Sequence, residues 1–179
     1  MPTWICLLRA INLGKTNKVA MPVLREIMAT NGFREVRTYL QSGNVVSESD
    51  HLAPDEVSVL VGSLVARNFG VTTPVVVRRR AQLTRLIERN PFRDAALQRP
   101  KQLHVYFLET TPSKDVTEAV RTHALTANDC HLDGCHLYVD HRSGVAGSKL
   151  TPQFLDRLLG VSGTARNWRT VLALEEMAK

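Results

Sequence analysis

The chain has 179 residues, of which 44% are hydrophobic and 22% are charged, so it is long enough and apolar enough to bury a core. This composition excludes a disordered or fibrous protein. The formal net charge of +6 favours acidic partners such as nucleic acid or phosphorylated small molecules, although a solvated basic face is the commoner source of such a surplus.

The N-terminal apolar run, residues 4–8, is too short to span a membrane. It also lacks the basic leader and the small-residue cleavage site of a signal peptide. Three cysteines, an odd number, argue against a disulfide framework and agree with a reducing compartment. The sequence therefore predicts a cytoplasmic protein that does not associate with a membrane.

The first part of the chain predicts the order β-α-β-β-α-β. The predicted elements are a strand over 3–11, a helix over 21–32, strands over 33–40 and 44–47, a helix over 54–70 and a strand over 71–77. Apolar residues follow one another along the first strand, as in a strand covered on both faces. Pro74 places the last strand at a sheet edge or a bulge. This order is that of the ferredoxin-like fold.

The second part largely repeats this order without a residue-level repeat. The predicted elements are a helix around 83–87, a proline-containing linker over 90–102, a strand over 103–108, a helix over 113–127, a hairpin over 129–138, a helix from 151 and a last helix from about 165. No final strand is evident, and we expect the C-terminal helix to take its place. The prediction is an α+β protein with two ferredoxin-like halves packed as one compact unit, residues 1–80 and 103–179, joined by a helical linker over 81–102.

Two polar loops carry the first candidate site. Its residues are Arg9, Asn12, Lys15, Asn17, Lys18, Gln41, Ser42 and Asn44. Arginine and lysine supply charge-assisted donors to an anion, and amides and hydroxyls supply directional hydrogen bonds. Gly14 and Gly43 let backbone N–H groups approach a ligand closely. The alternative is that these are ordinary turn residues, since no Walker or dinucleotide-binding fingerprint is present.

The segment Cys130–His136 has the residue types of a zinc site but not its geometry. Asp133-Gly134 predicts a two-residue hairpin turn that pairs His131 with His136. Strand alternation then places both cysteines on the opposite face from the histidines, which leaves no tetrahedral ligand set. We therefore expect no metal and no other cofactor.

A second anion-binding candidate lies near the C-terminus. Its residues are Lys149, which follows a glycine-containing loop, and Arg166, Asn167 and Arg169 at the predicted start of the last helix. Arg166 and Arg169, three residues apart, would share one face of that helix, whose N-terminus also favours an anion. The alternative is that Trp168 anchors the helix in the core while the arginines reach water.

Evidence for catalysis is sparse in the sequence. No Gly-x-Ser-x-Gly elbow and no carboxylate pair stand out, and Cys6 lies in mid-strand, where thiols are inert. His104 and His141 are candidates for a general base. The order of elements also matches RNA-recognition modules, but Leu7-Leu8 and Val45-Val46 provide no stacking aromatic rings.

Several segments resemble a known family. They are Leu8–Gly14, Met21–Arg25, Thr38–Val46, Gly147–Leu150 and Gly163–Val171. These segments are similar to the pattern L-R-G-I-N-V-G, M-x-x-L-R, T-Y-x-Q-S-G-N-V-V and T-A-R-N-W of the domain of unknown function 1697 (DUF1697), a family of small, mostly bacterial cytosolic proteins. Ala10 stands where the pattern has glycine. The resemblance implies a two-lobed fold with ferredoxin-like parts and implies no activity.

The leading hypothesis is a cofactor-free binding protein that holds an anionic, phosphorylated ligand or nucleic acid in its polar loops. A second hypothesis is a transferase or hydrolase that acts on a phosphorylated small molecule. A third is an interaction module, in which residues 71–77 form the edge of a homodimer. We expect a monomer or a weak homodimer.

Overall fold

The computed structural model describes residues 1–50, 53–123, 126 and 129–179. The chain divides into two compact units, each of which contains one four-stranded antiparallel sheet with helices. The first unit comprises Met1–Arg85 and Ala173–Lys179, and the second comprises Leu86–Leu172. The protein is thus an α+β protein, and each unit has the ferredoxin-like order of elements.

The first unit forms the predicted elements. They are β1 (Thr3–Leu8), α1 (Met21–Thr30), β2 (Arg34–Tyr39), β3 (Asn44–Glu48), α2 (Pro54–Phe69) and β4 (Val75–Arg79). The strand order is β2-β3-β1-β4, so the strand that follows Pro74 lies at a sheet edge, as predicted. Trp4, Cys6 and Leu8 pack against the apolar sides of α1 and α2, and this cluster is the core of the unit.

β1 is shorter than the predicted strand over 3–11 because the backbone turns after Leu8. Ala10 has a φ of 50° and Asn12 a φ of 55°, and a strand cannot continue through left-handed residues. Both helices of this unit have proline in their first turn, as expected. Gly70 ends α2 in the left-handed conformation with a φ of 65°.

The remaining elements include two that the sequence does not predict. In order they are α3 (Arg80–Glu88), α4 (Arg93–Gln98), β5 (Leu103–Leu108), α5 (Lys114–Thr122), β6 (Cys130–Asp133), β7 (His136–Asp140), α6 (Pro152–Leu159), β8 (Gly163–Asn167) and α7 (Trp168–Met177). α4 lies within the predicted linker, and β8 completes the second sheet in the order β6-β7-β5-β8. The predicted helix over 113–127 ends at Thr122, and residues 124, 125, 127 and 128 lie outside the described part of the chain.

The prediction that a helix replaces the final strand is wrong. β8 pairs antiparallel with β5, with Leu108 opposite Gly163 and His104 opposite Asn167. The strand is hard to detect because its sequence, Gly-Thr-Ala-Arg-Asn, has little intrinsic β-propensity, and pairing with the apolar β5 overrides local preference. Glycine is required at 163, since a Cβ there would lie 2.7 Å from the Phe107 carbonyl oxygen.

The register of the β6–β7 hairpin also differs from the prediction. Asp133 pairs with His136 and His131 pairs with Tyr138, so the two-residue turn is Gly134-Cys135 rather than Asp133-Gly134. The two histidines are therefore diagonal neighbours on one face instead of a direct pair. Gly134 adopts a φ of 58°, which places the left-handed residue first in the turn.

Candidate functional site

The side chain of Asn12 joins the two predicted polar loops. Its amide nitrogen donates to the carbonyl oxygen of Gln41 at 2.8 Å and to that of Val19 at 2.9 Å. Its amide oxygen accepts the Val19 N–H at 2.9 Å. The loops that follow β1 and β2 therefore lie side by side, and both N–H donors of the Asn12 side chain are used within the loops.

Two other asparagines of this cluster are also bonded within it. Asn17 Nδ2 donates to the Ala10 carbonyl oxygen at 3.1 Å. Asn44, which is fully buried, donates to the Tyr39 carbonyl oxygen at 2.8 Å and to Ser42 Oγ at 3.0 Å. The asparagines thus shape the loops, and Lys18 does the same, since its Nζ donates to the Gly14 carbonyl oxygen at 2.6 Å. Lys15, Gln41 and Ser42 are also exposed, and Arg9 is half-buried.

The backbone of these loops is left-handed at several positions. The residues with positive φ are Ala10, Asn12, Gly14 and Asn17 in the first loop and Leu40 and Gly43 in the second. Gly43 also makes a close approach, since a Cβ there would lie 2.8 Å from Leu8 Cβ. Left-handed non-glycine residues persist only where surrounding contacts hold them, and such residues gather at functional loops.

The second predicted cluster, Lys149 with Arg166, Asn167 and Arg169, is dispersed. Arg166 is on β8, not on a helix, so the predicted helical face with Arg169 is wrong. Arg166 is buried and donates to Thr164 Oγ1 and the Ala165 carbonyl oxygen, each at 2.8 Å, and burial lowers its pKa to about 10. Asn167 Oδ1 accepts the Thr170 N–H at 3.0 Å and so caps α7. Arg169 lines a separate cavity of about 430 Å³ with Arg99 and Lys101.

Lys149 instead lines a cavity of about 260 Å³ formed by the loop between β7 and α6. We call this cavity the loop pocket. Its lining residues are Asp129, Asp140, His141, Arg142, Ser143, Gly144, Gly147, Ser148, Lys149 and Leu150. The loop leaves β7 at Asp140 and reaches Thr151, whose hydroxyl caps α6 by accepting the Phe154 N–H at 3.2 Å. Both ends of the pocket loop are therefore fixed by regular structure.

A network of charged side chains supports one wall of the loop pocket. Asp140, whose side chain is 1% exposed, accepts two bonds from Arg99, at 3.0 Å from Nε and 2.6 Å from Nη2. Arg142 lies 3.0 Å from Asp129 and 3.6 Å from Asp140. This bidentate interaction provides the buried Asp140 carboxylate with hydrogen-bond donors and fixes the start of the loop. Arg99 and Arg142 also line an adjoining cavity of about 240 Å³.

His141 lies in the wall of the loop pocket, next to a hydroxyl. Its Nδ1 is 2.9 Å from Ser148 Oγ, which also accepts the Leu150 N–H at 3.1 Å. The edge of its ring meets the ring of His104, with 5.1 Å between centroids. Burial, and then the neighbouring His104, lower the pKa of His141 to about 4, so the imidazole is neutral at physiological pH.

Lys149 supplies the loop pocket with an available cation. It is exposed, and it makes no hydrogen bond or ion pair with any of the described residues. The charged residues of the lining are Arg142, Lys149, Asp129 and Asp140, and Arg99 pairs with Asp140 from outside the lining. These five groups, three positive and two negative, leave one net positive charge while His141 is neutral. The pocket is therefore suited to an anion.

Sequence reasoning identifies only Lys149 and His141 in the loop pocket, and it does not connect them. The missing members are Asp140, Arg142 and Ser148. The available signal was a cluster of charged residues directly after an apolar strand, followed by the glycine-containing stretch 144–149. Binding residues are often found on such loops between rigid elements.

The cysteines and histidines of the β6–β7 hairpin take structural positions. Cys130 and Cys135 pack against the apolar core of the second unit, and burial raises the pKa of Cys130 to about 12. On the other face, His131 contacts the ring of Tyr138, and His136 contacts the ring of Phe107. Within the described ranges, no group of three or more histidine, cysteine or acidic side chains is placed to hold a metal ion.

Comparison with known proteins identifies a family and a structure of similar fold. The model of a family described as "Protein of unknown function (DUF1697)" matches residues 1–138. A solved structure, that of the conserved bacterial protein SP0830 from Streptococcus pneumoniae, is similar over 99% of each chain, with a TM-score of 0.73 and 21% sequence identity. This likeness shows the fold. No curated protein matches the chain.

Among the described residues, no helix is both long and apolar enough to cross a membrane.

Proposed function

Because the chain belongs to the DUF1697 family, whose description gives no function, we propose a function from the geometry of its own site: the protein binds a small anionic, phosphorylated ligand in the loop pocket. The binding requires no cofactor, and its principal contacts are Lys149, Arg142 and the hydroxyl of Ser148. The exposed groups of the N-terminal loops, Lys15 and Gln41 among them, are a second candidate surface for the same class of ligand.

The observation that carries this proposal is the position of Lys149. Lys149 lines a concave site and its ammonium group is unpaired among the described residues, whereas Arg142 is already close to two carboxylates. A lysine with no internal partner is a point charge available to a phosphate oxygen. Ser143 and Ser148 belong to the same lining, and serine hydroxyls give the directional bonds that an anion also needs.

The size of the loop pocket favours a small molecule over nucleic acid. A volume of about 260 Å³ is slightly below the roughly 300–1,000 Å³ typical of sites for drug-sized ligands. A phosphate with a short organic substituent fits such a volume. A nucleic-acid interface requires a basic stripe that follows several phosphates, and the cations of this pocket are offset by Asp129 and Asp140.

The proposal is tested by calorimetric titration at low salt with inorganic phosphate, a sugar phosphate and AMP. We expect Lys149→Met to weaken binding about tenfold or more, because a charge-assisted hydrogen bond contributes roughly 1.5–3 kcal/mol. Lys15→Met tests the second candidate surface, since Lys15 is also exposed but lies in the first unit; we expect no effect on binding at the loop pocket.

The opposite pattern, in which Lys15→Met weakens binding and Lys149→Met does not, places the ligand in the N-terminal loops and contradicts the loop pocket as the site. Absence of binding for all three probes contradicts the proposed function itself. Binding to short single-stranded RNA alone, weakened steeply as salt rises, indicates phosphate-backbone contacts instead.

The contact between His141 and Ser148 favours a second candidate, a hydrolase for phosphate esters. In that reaction Ser148 Oγ bonds to phosphorus, its proton passes to His141 Nδ1, and the bond to the leaving alcohol breaks as that proton moves on to the alkoxide. Water then hydrolyses the phosphoserine. The lowered pKa of His141 makes it a weak base, so binding remains the first candidate.

Release of p-nitrophenol from p-nitrophenyl phosphate tests this second candidate. The hydrolase hypothesis predicts activity that Ser148→Ala abolishes, together with a phosphoserine at position 148 detected by mass spectrometry. A folded protein that binds phosphate but shows no release contradicts it.

A further inference from the structure

The loop pocket contains a histidine, the residue type whose charge most readily changes near neutral pH, and this histidine is bonded to a potential ligand contact. His141 is 8% exposed, and its Nδ1 meets Ser148 Oγ at 2.9 Å. We infer that the loop pocket selects dianionic ligands, of the phosphate monoester class, because His141 takes up a proton when such a ligand binds. This inference rests on the function proposed above.

The hydrogen bonds around Ser148 give the proton a direct route to the ligand. A neutral imidazole with a bare Nδ1 accepts the hydroxyl proton of Ser148, whereas an imidazolium donates from both ring nitrogens. Ser148 Oγ then accepts from His141 and from the Leu150 N–H, which lies 3.1 Å away. With both acceptor positions occupied, the hydroxyl proton points to a new acceptor, and a ligand oxygen in the cavity provides one.

The surroundings of His141 explain why its neutral form is favoured. His104 on β5 and burial disfavour its protonated form, while Asp140 and Asp129 favour it. Both carboxylates are already neutralised in part by Arg99 and Arg142, and Lys149 adds a further positive charge to the lining. His104 is itself held by a bond of 3.2 Å between its Nδ1 and the Gln102 carbonyl oxygen.

A dianion changes this balance more than a monoanion does. The site has one net positive charge with His141 neutral and two with His141 protonated, which matches two negative charges on the ligand. An opposite charge within a few ångströms raises a histidine pKa by about 1–3 units. From a starting pKa of about 4, a dianion thus moves His141 to roughly 6, within the range in which it takes up a proton near neutral pH.

Calorimetry with two sulfur oxyanions tests the inference. Sulfate remains a dianion and methyl sulfate a monoanion across the pH range used, so neither probe takes up a proton itself. Titrations in buffers with different ionisation enthalpies give the number of protons bound. We expect sulfate to bind with uptake of about half a proton at about pH 6, and about tenfold more tightly at pH 5 than at pH 8. Methyl sulfate binds more weakly, with uptake of roughly a tenth of a proton.

Two variants locate the proton. His141→Gln abolishes the uptake, and the control His131→Gln, an exposed histidine on β6, retains it. Ser148→Ala leaves the imidazole in place and removes the hydroxyl, so affinity falls while uptake persists. Sulfate binding without proton uptake, or uptake that survives in His141→Gln, overturns this inference and leaves the proposed function intact. If sulfate does not bind at any pH, both this inference and the proposed function are contradicted.

Discussion

At the scale of single residues, the N-terminal loops depend on left-handed backbone positions. Ala10 is exposed and has a φ of 50°, a conformation that favours glycine. Its position is also the one at which the family pattern has glycine. The structure therefore gives a backbone reason for that glycine, and a close approach by a ligand is not needed to explain it.

Replacement of Ala10 by glycine is expected to stabilise the protein by up to about 1 kcal/mol. Glycine relieves the left-handed strain in the folded state, and this gain is larger than the loss of stability that comes from the greater conformational entropy of the unfolded chain. Urea unfolding measures the change. The control is Ala119→Gly, at an exposed position inside α5, where glycine costs about 0.5–1 kcal/mol. If both substitutions lower the free energy of unfolding by the same amount, the backbone at Ala10 is not strained.

At the scale of elements, Gly43 fixes the hairpin of β2 and β3 against β1. Its φ is 80°, its carbonyl oxygen accepts the Leu8 N–H at 2.8 Å, and a Cβ would overlap the side chains of Leu8 and Ile11. Gly14 has a φ of 55° but open space around it. Substitutions at these two glycines therefore distinguish the effect of steric overlap, present only at Gly43, from the effect of backbone strain, present at both.

We predict that Gly43→Ala destabilises the first unit by about 2–4 kcal/mol, from left-handed strain together with overpacking. Gly14→Ala involves the strain alone and costs about 1 kcal/mol. Denaturant unfolding of both variants provides the comparison. If the two substitutions lower the free energy of unfolding by similar amounts, the side chains around Gly43 move to accommodate the added methyl group, and the predicted overpacking is wrong.

The sequence predicts the elements that have strong periodic patterns and misses those that depend on partners. β1 and α2 are recognisable because continuous apolar runs and a helical apolar stripe leave few alternatives. β8 is not, since only its pairing with β5 makes Gly163–Asn167 a strand. The same applies to the loop pocket, where the hydrogen bond between His141 and Ser148 helps to set a shape that no local pattern encodes.

At the scale of the whole molecule, the two units use the same order of elements with long loops in different places. In the first unit the long connection joins β1 to α1, over residues 9–20, and it carries the strained polar loop. In the second it joins β7 to α6, over residues 141–151, and it forms the loop pocket. One scaffold thus presents two different polar surfaces.

His141 also makes the stability of the protein depend on pH. Its pKa is 6.5 in the unfolded chain and about 4 in the fold, so the unfolded state binds more protons between these values. The contribution of neutral His141 to the free energy of unfolding is fully present above about pH 6.5. It decreases by roughly 3 kcal/mol as the pH falls towards 4. Denaturant unfolding at several pH values measures this. His141→Gln flattens that part of the curve, whereas His131→Gln keeps it; an unchanged slope in His141→Gln contradicts the assignment.

The most direct test of the loop pocket as the binding site is a nuclear magnetic resonance titration of the ¹⁵N-labelled protein with inorganic phosphate, in which each backbone amide reports on its own surroundings. We predict that the largest chemical-shift changes lie within residues 141–150, with Ser148 and Lys149 foremost, and that they saturate together. Changes concentrated in residues 12–18 and 41–44, with none in the loop pocket, would contradict the central claim and assign the ligand to the N-terminal loops.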